Sequence, residues 1–149
     1  MQKRYIIDGN NLIGKIPELK SIPKVHRQSA REKLCHILDR YFGSKRIKVS
    51  LHFDGFAGPA IRTSSFSIHY SSGKPADDLI RQEIGQAKNP KLLTLVSSDH
   101  SLTSFAKACS CTIIKAEVFA GELNKKNDSN EEERIKSISN DEMKRLFEV

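Results

Sequence analysis

Long apolar runs are absent from this chain. Hydrophobic residues make up 38% of it and charged residues 29%, and no segment approaches the roughly 20 consecutive apolar residues that a membrane-spanning helix needs. The basic start at Lys3 and Arg4 is soon followed by Asp8, which falls where a signal peptide would keep its apolar segment. We therefore expect a protein of the cytoplasm with no membrane partner.

Cysteine pairs and glycine-rich loops are also missing. The three cysteines, an odd number without a CxxC pair, are Cys35, Cys109 and Cys111. This argues against a zinc-binding cysteine set and favours reduced, buried thiols. Gly9 suits a turn, but neither a phosphate loop nor a dinucleotide fingerprint follows it. Ser97 and Ser98 lack the glycine elbow of a serine nucleophile, so we expect them to hydrogen-bond a turn or a phosphate.

What the chain does have is an excess of basic residues, unevenly spread. The net charge is +7, from 25 Lys and Arg against 18 Asp and Glu. Residues 122–149 hold eight acids and six bases, which leaves ten acids and 19 bases, a net of +9, in residues 1–121. A basic body suggests a polyanionic partner, most simply nucleic acid. Half of those ten acids lie in the motifs discussed below.

Strand and helix patterns alternate along residues 1–123. Predicted strands cover 5–8, 46–54, 66–70, 91–96 and 111–115, and predicted helices cover 24–42, 76–87, 102–108 and 117–123. This order predicts an α/β fold with a doubly wound, mainly parallel sheet and helices on both faces. Residues 12–22 are predicted as a connector. Beyond the 1–123 domain, the pattern predicts a charged linker or loop at 124–138 and a short helix at 139–149 that docks onto the domain.

The first long helix has a basic face, and such a face is normally solvated. Its members are His26, Arg27, Arg31, Lys33 and Arg40. In the segment 46–54, Ile47, Val49, Leu51 and Phe53 alternate and point one way, which predicts a strand.

Three predicted core strands end on an acid: Asp8, Asp54 and Asp99. The carboxyl ends of parallel strands share one edge of a sheet, where such folds bind ligands, and a helix that starts at Asp77-Asp78 can begin at that edge. Each acid also has a structural explanation as a turn former or helix N-cap. Converging carboxylates repel each other, and a divalent cation relieves the repulsion. Oxygen ligands favour Mg²⁺ or Mn²⁺ over zinc.

Four motifs in order carry a family resemblance. They are Ile-Ile-Asp-Gly-Asn-Asn-Leu-Ile at 6–13, Leu-His-Phe-Asp-Gly at 51–55, Ala-Asp-Asp-Leu-Ile at 76–80 and Val-Ser-Ser-Asp at 96–99. The ordered set resembles the NYN domain, in particular its YacP-like branch within the PIN-like nuclease group, and the resemblance runs over residues 3–123. The resemblance implies a three-layer α/β/α fold and metal-dependent endonucleolytic cleavage of RNA (mRNA, tRNA or rRNA), with ribosome association as a further expectation.

By position, the resemblance also implies site residues. The implied catalytic set is Asp8, Asn11, Asp77, Asp78 and Asp99. Asp8, Asp77 and Asp99 would bind the metal, whereas Asn11 would place phosphate or a metal-bound water. The supporting residues are Asp54 and Ser98. The segment between Gly58 and Ser71 does not match the family pattern, and the tail after residue 123 does not align with it.

Other interpretations remain open. The chain could be an RNA- or ribosome-binding module with a PIN-like fold and little or no cleavage activity. A phosphatase of the haloacid-dehalogenase type needs a second Asp two residues after the first, where this chain has Asn10. His100, beside Asp99, is either an acid-base group near neutral pH or a surface histidine. His52 and His69 lie within predicted strands and have no evident partner.

Overall fold

Five parallel strands form one sheet at the centre of the molecule. A computed structural model describes residues 2–43, 45–64 and 66–125. The strands are β1 (Lys3–Asp8), β2 (Ile47–Phe53), β3 (Phe66–Tyr70), β4 (Leu93–Val96) and β5 (Thr112–Ile114), arranged in the order β3-β2-β1-β4-β5. Every pairing is parallel. The predicted doubly wound parallel sheet is confirmed.

Helices cover both faces of the sheet. They are α1 (Gly9–Ile13), α2 (Pro17–Lys20), α3 (Arg27–Phe42), α4 (Ala76–Gln86), α5 (His100–Ala108) and α6 (residues 116–125), with 3₁₀ turns at Lys24–His26 and Pro90–Leu92. The connector predicted over residues 12–22 is largely wrong, because this segment contains the end of α1 and all of α2. Leu12 and Leu19 hold these short helices against the core, where both are buried.

The central strand β1 separates two apolar cores. Ile6 and Ile7 are both 0% exposed, and successive residues of a strand point to opposite faces, so β1 must lie between two covered faces. On one face Ile7 joins a core with side chains of α3 and α6. On the other, Ile6 joins a core with side chains of α4 and α5. The result is the expected three-layer arrangement.

Strand β2 is buried more completely than its alternation predicts. All five residues from Val49 to Phe53 are buried, including the polar Ser50 and His52. The predicted strand is present, and the face that carries its polar residues is also buried because α4 covers it.

Arg31 does not belong to a solvated basic face, so that part of the prediction is also wrong. Its side chain is only 4% exposed. The guanidinium donates hydrogen bonds to the carbonyl oxygens of Asp54 (2.7 Å) and Phe56 (3.0 Å). It also lies over the rings of Phe53 and Tyr70, 5.4 and 5.0 Å from their centroids. Arg31 therefore holds the loop after β2 in place.

Helix α6 continues through residues 124 and 125, where the sequence predicted a linker. The rest of that linker and the terminal helix predicted at 139–149 lie outside the described residues. Within the described part of the chain, no helix has both the length and the apolar character needed to cross a membrane.

Candidate active site

The carboxyl ends of β1 and β4 flank the point where the chain changes direction across the sheet. The chain leaves β1 toward α3 on one face and leaves β4 toward α5 on the other, and open α/β sheets bind ligands at this kind of switch point. A cleft of about 410 Å³ opens there. It is lined by Asp8, Asn10, Asn11, Asp54, Pro75, Ala76, Asp77 and Asp99.

Asp8 is held at the end of β1 by close packing behind it. A Cβ atom on the next residue, Gly9, would lie 2.7 Å from both the Phe53 ring and the carbonyl oxygen of His52. Only glycine lets the chain turn into α1 at this distance from β2. The Asp8 carboxylate accepts a hydrogen bond from Ser97 Oγ at 3.0 Å.

The pKa of Asp8 is raised from its ordinary 3.8 to about 6. Burial is the largest cause, and the negative charges of Asp54 and Asp99 act in the same direction. Hydrogen bonds from Ser97 and from the backbone of Asn11 offset part of the effect. Asp8 is therefore a carboxylate whose negative charge is incompletely compensated, as expected of a cation ligand without its cation.

Ser97 contacts the candidate site more directly than the predicted Ser98. Ser97 is 0% exposed; its hydroxyl donates to Asp8 and accepts from the backbone N–H of Asp99 at 3.1 Å. Ser98 lies outside the cleft lining, and its Oγ donates to Glu117 and accepts from the backbone of Ala116. Ser98 therefore fixes the start of α6, whereas Ser97 orients two acids.

Asn10 and Asn11 join the ends of three strands. Asn11 Oδ1 accepts from the backbone N–H of Ser98, after β4, at 2.9 Å. Asn10 Oδ1 accepts from the backbone N–H of Asp54, after β2, at 3.0 Å. The sequence pointed to Asn11 through the family pattern, but Asn10 was missed as a site residue, because its partner is 44 residues away.

Asp54 connects β2 to the start of α4. Its Oδ1 accepts from the backbone N–H of Ala76 at 2.8 Å, so it satisfies one of the free N–H groups at the helix start. This contact sets α4 so that Asp77 lines the cleft. Asp78, the next residue, is exposed and does not line it.

Asp77 has one paired oxygen and one unpaired oxygen. Oδ2 accepts from Arg81 Nε at 2.9 Å, whereas Oδ1 is buried and has no hydrogen-bond partner. Arg81 also donates to Ser101 Oγ at 2.7 Å and lies 5.0 Å from the centroid of the Phe105 ring. Arg81, which the sequence did not single out, therefore links α4 to α5 beside the cleft.

Asp99 has a structural role as well as a place in the cleft. Its Oδ1 accepts from the backbone N–H of Leu102 at 3.0 Å, which makes it the N-cap of α5. The two interpretations of Asp99 from the sequence, as a helix N-cap and as an acid of the candidate site, are therefore compatible. His100, the first residue of α5, is exposed and does not line the cleft.

The acidic cleft suits a hard divalent cation that keeps part of its water shell. Asp8, Asp77 and Asp99 offer oxygen ligands, and the unpaired Asp77 Oδ1 is a buried acceptor that lacks a donor. Among the described residues, the one trio of ligand-type side chains whose atoms all lie within 4.8 Å of each other is elsewhere. Mg²⁺ binds directly to one or two carboxylates and retains several waters, so the three acids need not all contact the ion.

The all-parallel five-stranded sheet with helices on both faces is a PIN-like α/β fold. The sequence matches the family of the YacP-like NYN domain over residues 5–148. The chain therefore belongs to the YacP-like NYN domain family, which is nuclease-like. This confirms the resemblance carried by the four motifs and extends it past residue 123. It also displaces the phosphatase interpretation.

Two solved structures share the fold. Both are crystal structures of Rae1 (YacP) from Bacillus subtilis, one of them of a point mutant. One matches with a TM-score of 0.74 and 19% identity over 95% of this chain and 84% of that chain. The mutant matches with a TM-score of 0.72 and 18% identity over 93% and 84%. At this identity the likeness supports the fold. No curated protein matches the sequence at a significant level.

Proposed function

We propose that this protein is a Mg²⁺- or Mn²⁺-dependent endoribonuclease. The observation that carries the proposal is that acids from four separate segments of a nuclease-like chain line one cleft at the switch point of the sheet. In this proposal Asp8, Asp77 and Asp99 hold the cation. The cation, when bound, neutralises phosphate charge and activates a water.

Neighbouring side chains have roles that follow from their contacts. Oδ1 of Asn10 and Oδ1 of Asn11 each accept a backbone hydrogen bond, so their side-chain NH₂ groups remain available to donate to phosphate oxygens. Ser97 orients the Asp8 carboxylate, and Asp54 sets the position of Asp77 through α4. Arg81 supplies a positive charge beside Asp77.

A basic groove adjoins the acidic cleft and suits a polyanionic strand. We define it by three exposed cations on its lining: Lys20, Lys24 and Arg27. Asn10 and Asp54 line both the groove and the cleft, so a chain whose phosphates lie along the groove reaches the acids. RNA is the substrate class we propose, because the chain belongs to a nuclease-like family and the groove beside its acidic cleft carries exposed cations.

The test is cleavage of labelled RNA by the purified full-length chain. We expect cleavage with Mg²⁺ or Mn²⁺ and none in EDTA. Asp8→Asn, Asp77→Asn and Asp99→Asn should each lower the cleavage rate by about 100-fold or more, because each removes a charge that holds the cation. Glu18→Gln, which removes an exposed acid on α2, is the matched control.

Asp78→Asn tests whether both acids of the Asp77-Asp78 pair take part in catalysis, as the family resemblance implies, or only Asp77, which lines the cleft. Because Asp78 is exposed outside the cleft lining, we expect this variant to keep most of the activity that Asp77→Asn loses. Full activity in Asp8→Asn or Asp99→Asn, with circular dichroism showing a folded protein, would contradict the nuclease proposal.

The alternative of an RNA-binding module has one observation in its favour, namely the wide spacing of the acids. A module would bind RNA through the basic groove as well in EDTA as in Mg²⁺, without metal-dependent cleavage. Measuring binding by fluorescence anisotropy beside cleavage in the same samples distinguishes the two functions. Ribosome association is tested by co-sedimentation of the full-length chain with ribosomes.

A further inference from the structure

A second group of metal-ligand side chains lies away from the acidic cleft. It consists of His52 on β2, His69 on β3 and Glu83 on α4, and one ligand atom from each lies within 4.8 Å of the others. His52 and His69 are direct cross-strand partners in the parallel pairing of β2 with β3. Their rings stack with centroids 4.7 Å apart at 18°. We call this group the His/Glu cluster.

The His/Glu cluster is incompletely satisfied by hydrogen bonds. His52 is 3% exposed; its Nε2 lies 3.4 Å from Glu83 Oε1, and its Nδ1 is buried with no hydrogen-bond partner. Oε2 of Glu83 is likewise buried without a partner. Unpaired buried polar atoms cost free energy, so a cluster held by hydrogen bonds alone leaves part of that cost uncompensated.

We propose that His52, His69 and Glu83 form a binding site for a divalent transition metal of the zinc class, separate from the acidic cleft. Two imidazoles and one carboxylate form a known zinc ligand set that leaves a fourth position for water. The 3.4 Å between His52 Nε2 and Glu83 Oε1 agrees with the roughly 3.4 Å between two ligands of a tetrahedral zinc ion. His69 is exposed at the edge of the sheet, which gives the ion a path from solvent.

The ligands come from three elements, so a bound ion cross-links them. It ties the edge strand β3 to β2 and α4. Glu83 lies six residues after Asp77 on α4, about 9 Å along the helix axis, and His52 lies two residues before Asp54. Metal at the His/Glu cluster therefore stiffens the wall of the acidic cleft without taking part in it.

The test is zinc binding by the full-length, untagged, chelator-treated chain, measured by calorimetry in millimolar Mg²⁺ so that hard-cation sites are filled. We expect one Zn²⁺ per chain and a rise in the thermal unfolding temperature. His69→Gln and Glu83→Gln should weaken zinc binding at least about tenfold and abolish the thermal shift. His36→Gln, which removes an exposed histidine on α3, and Asp8→Asn should leave both unchanged.

The outcomes separate this site from the proposed nuclease site. No zinc binding, or binding equally tight in the His69→Gln and Glu83→Gln variants, overturns the proposal, as does binding lost in Asp8→Asn alone. Circular dichroism of both variants without metal checks folding, and neither replaces the buried His52. A crystal grown with Zn²⁺ should show anomalous scattering between His52 and Glu83; a peak confined to the acidic cleft contradicts the site.

Discussion

At the scale of single residues, Asp8 shows how one carboxylate serves both the fold and the site. Its position follows from a strand that is buried on both faces and ends in a glycine turn. Its raised pKa follows from contacts with segments far along the chain, including Ser97, 89 residues away. The sequence therefore identified the residue but not its electrostatic state.

The stability of the metal-free protein should depend on pH through Asp8. Its pKa is about 6 in the folded chain and near 3.8 when unfolded, so from pH 4 to 6 the unfolded state releases a proton that the folded state keeps. The contribution of Asp8 to the free energy of unfolding is therefore fully present below the lower pKa and is lost as pH rises through about 6. Asp8→Asn should therefore raise the free energy of unfolding at pH 8 by ~1–3 kcal/mol.

The measurement is urea unfolding of both proteins in EDTA between pH 4 and 8, with Glu18→Gln as the control. The difference between wild type and Asp8→Asn should grow with pH up to about pH 6 and then level off. A difference that is constant across this range would show that burial of the Asp8 charge is not the cause.

At the scale of elements, the start of α4 depends on β2. The helix has Pro75 at its N-cap position and no side-chain cap of its own. Asp54, at the end of β2, supplies the acceptor for Ala76 instead. A local sequence window cannot reveal this arrangement, because the capping group is 22 residues away.

Asp54→Ala should loosen the first turn of α4 and with it Asp77. We expect a loss of ~0.5–2 kcal/mol in the free energy of unfolding, as for loss of a helix cap, together with slower RNA cleavage. Asp54→Asn keeps an oxygen acceptor for Ala76 and should retain most of the stability. Urea unfolding measures the loss of stability, and hydrogen exchange at the Ala76 amide measures the loosening of the first turn. If Asp54→Ala is as stable as wild type, Asp54 does not cap α4.

Other elements show the same limit of local patterns. The amphipathic pattern placed Arg31 on a solvated helix face, yet the loop after β2 covers it, because two backbone carbonyls there need a donor. The pattern of β2 assigned His52 to a polar face, yet α4 packs over that face and brings Glu83 to it. In both cases the element was predicted and its surroundings were not.

At the scale of the whole molecule, the basic groove and the acidic cleft lie side by side. The charge excess of residues 1–121 is a property of composition, whereas its location beside Asp8 and Asp77 is a property of the fold. In the proposed function, the cations of the groove hold an RNA strand while the acids hold the metal ion.

Removing two groove cations should weaken RNA binding and its salt dependence. Lys24→Ala combined with Arg27→Ala should lower affinity for any RNA sequence and reduce the slope of log K against log salt by about 1–2, since each phosphate contact contributes slightly less than one. Lys91→Ala combined with Lys107→Ala removes the same charge from exposed positions outside the groove. Equal salt slopes in the two double variants would contradict RNA binding along the basic groove.

The sequence by itself determined the parallel α/β class and the acids that follow β1, β2 and β4, because burial and turn patterns are local. The tertiary structure decided that Asp77 enters the cleft while Asp78 remains outside, that Ser97 rather than Ser98 contacts Asp8, and that His52, His69 and Glu83 meet. These pairings depend on strand register and on how α4 packs over the sheet, which are set by contacts between distant segments.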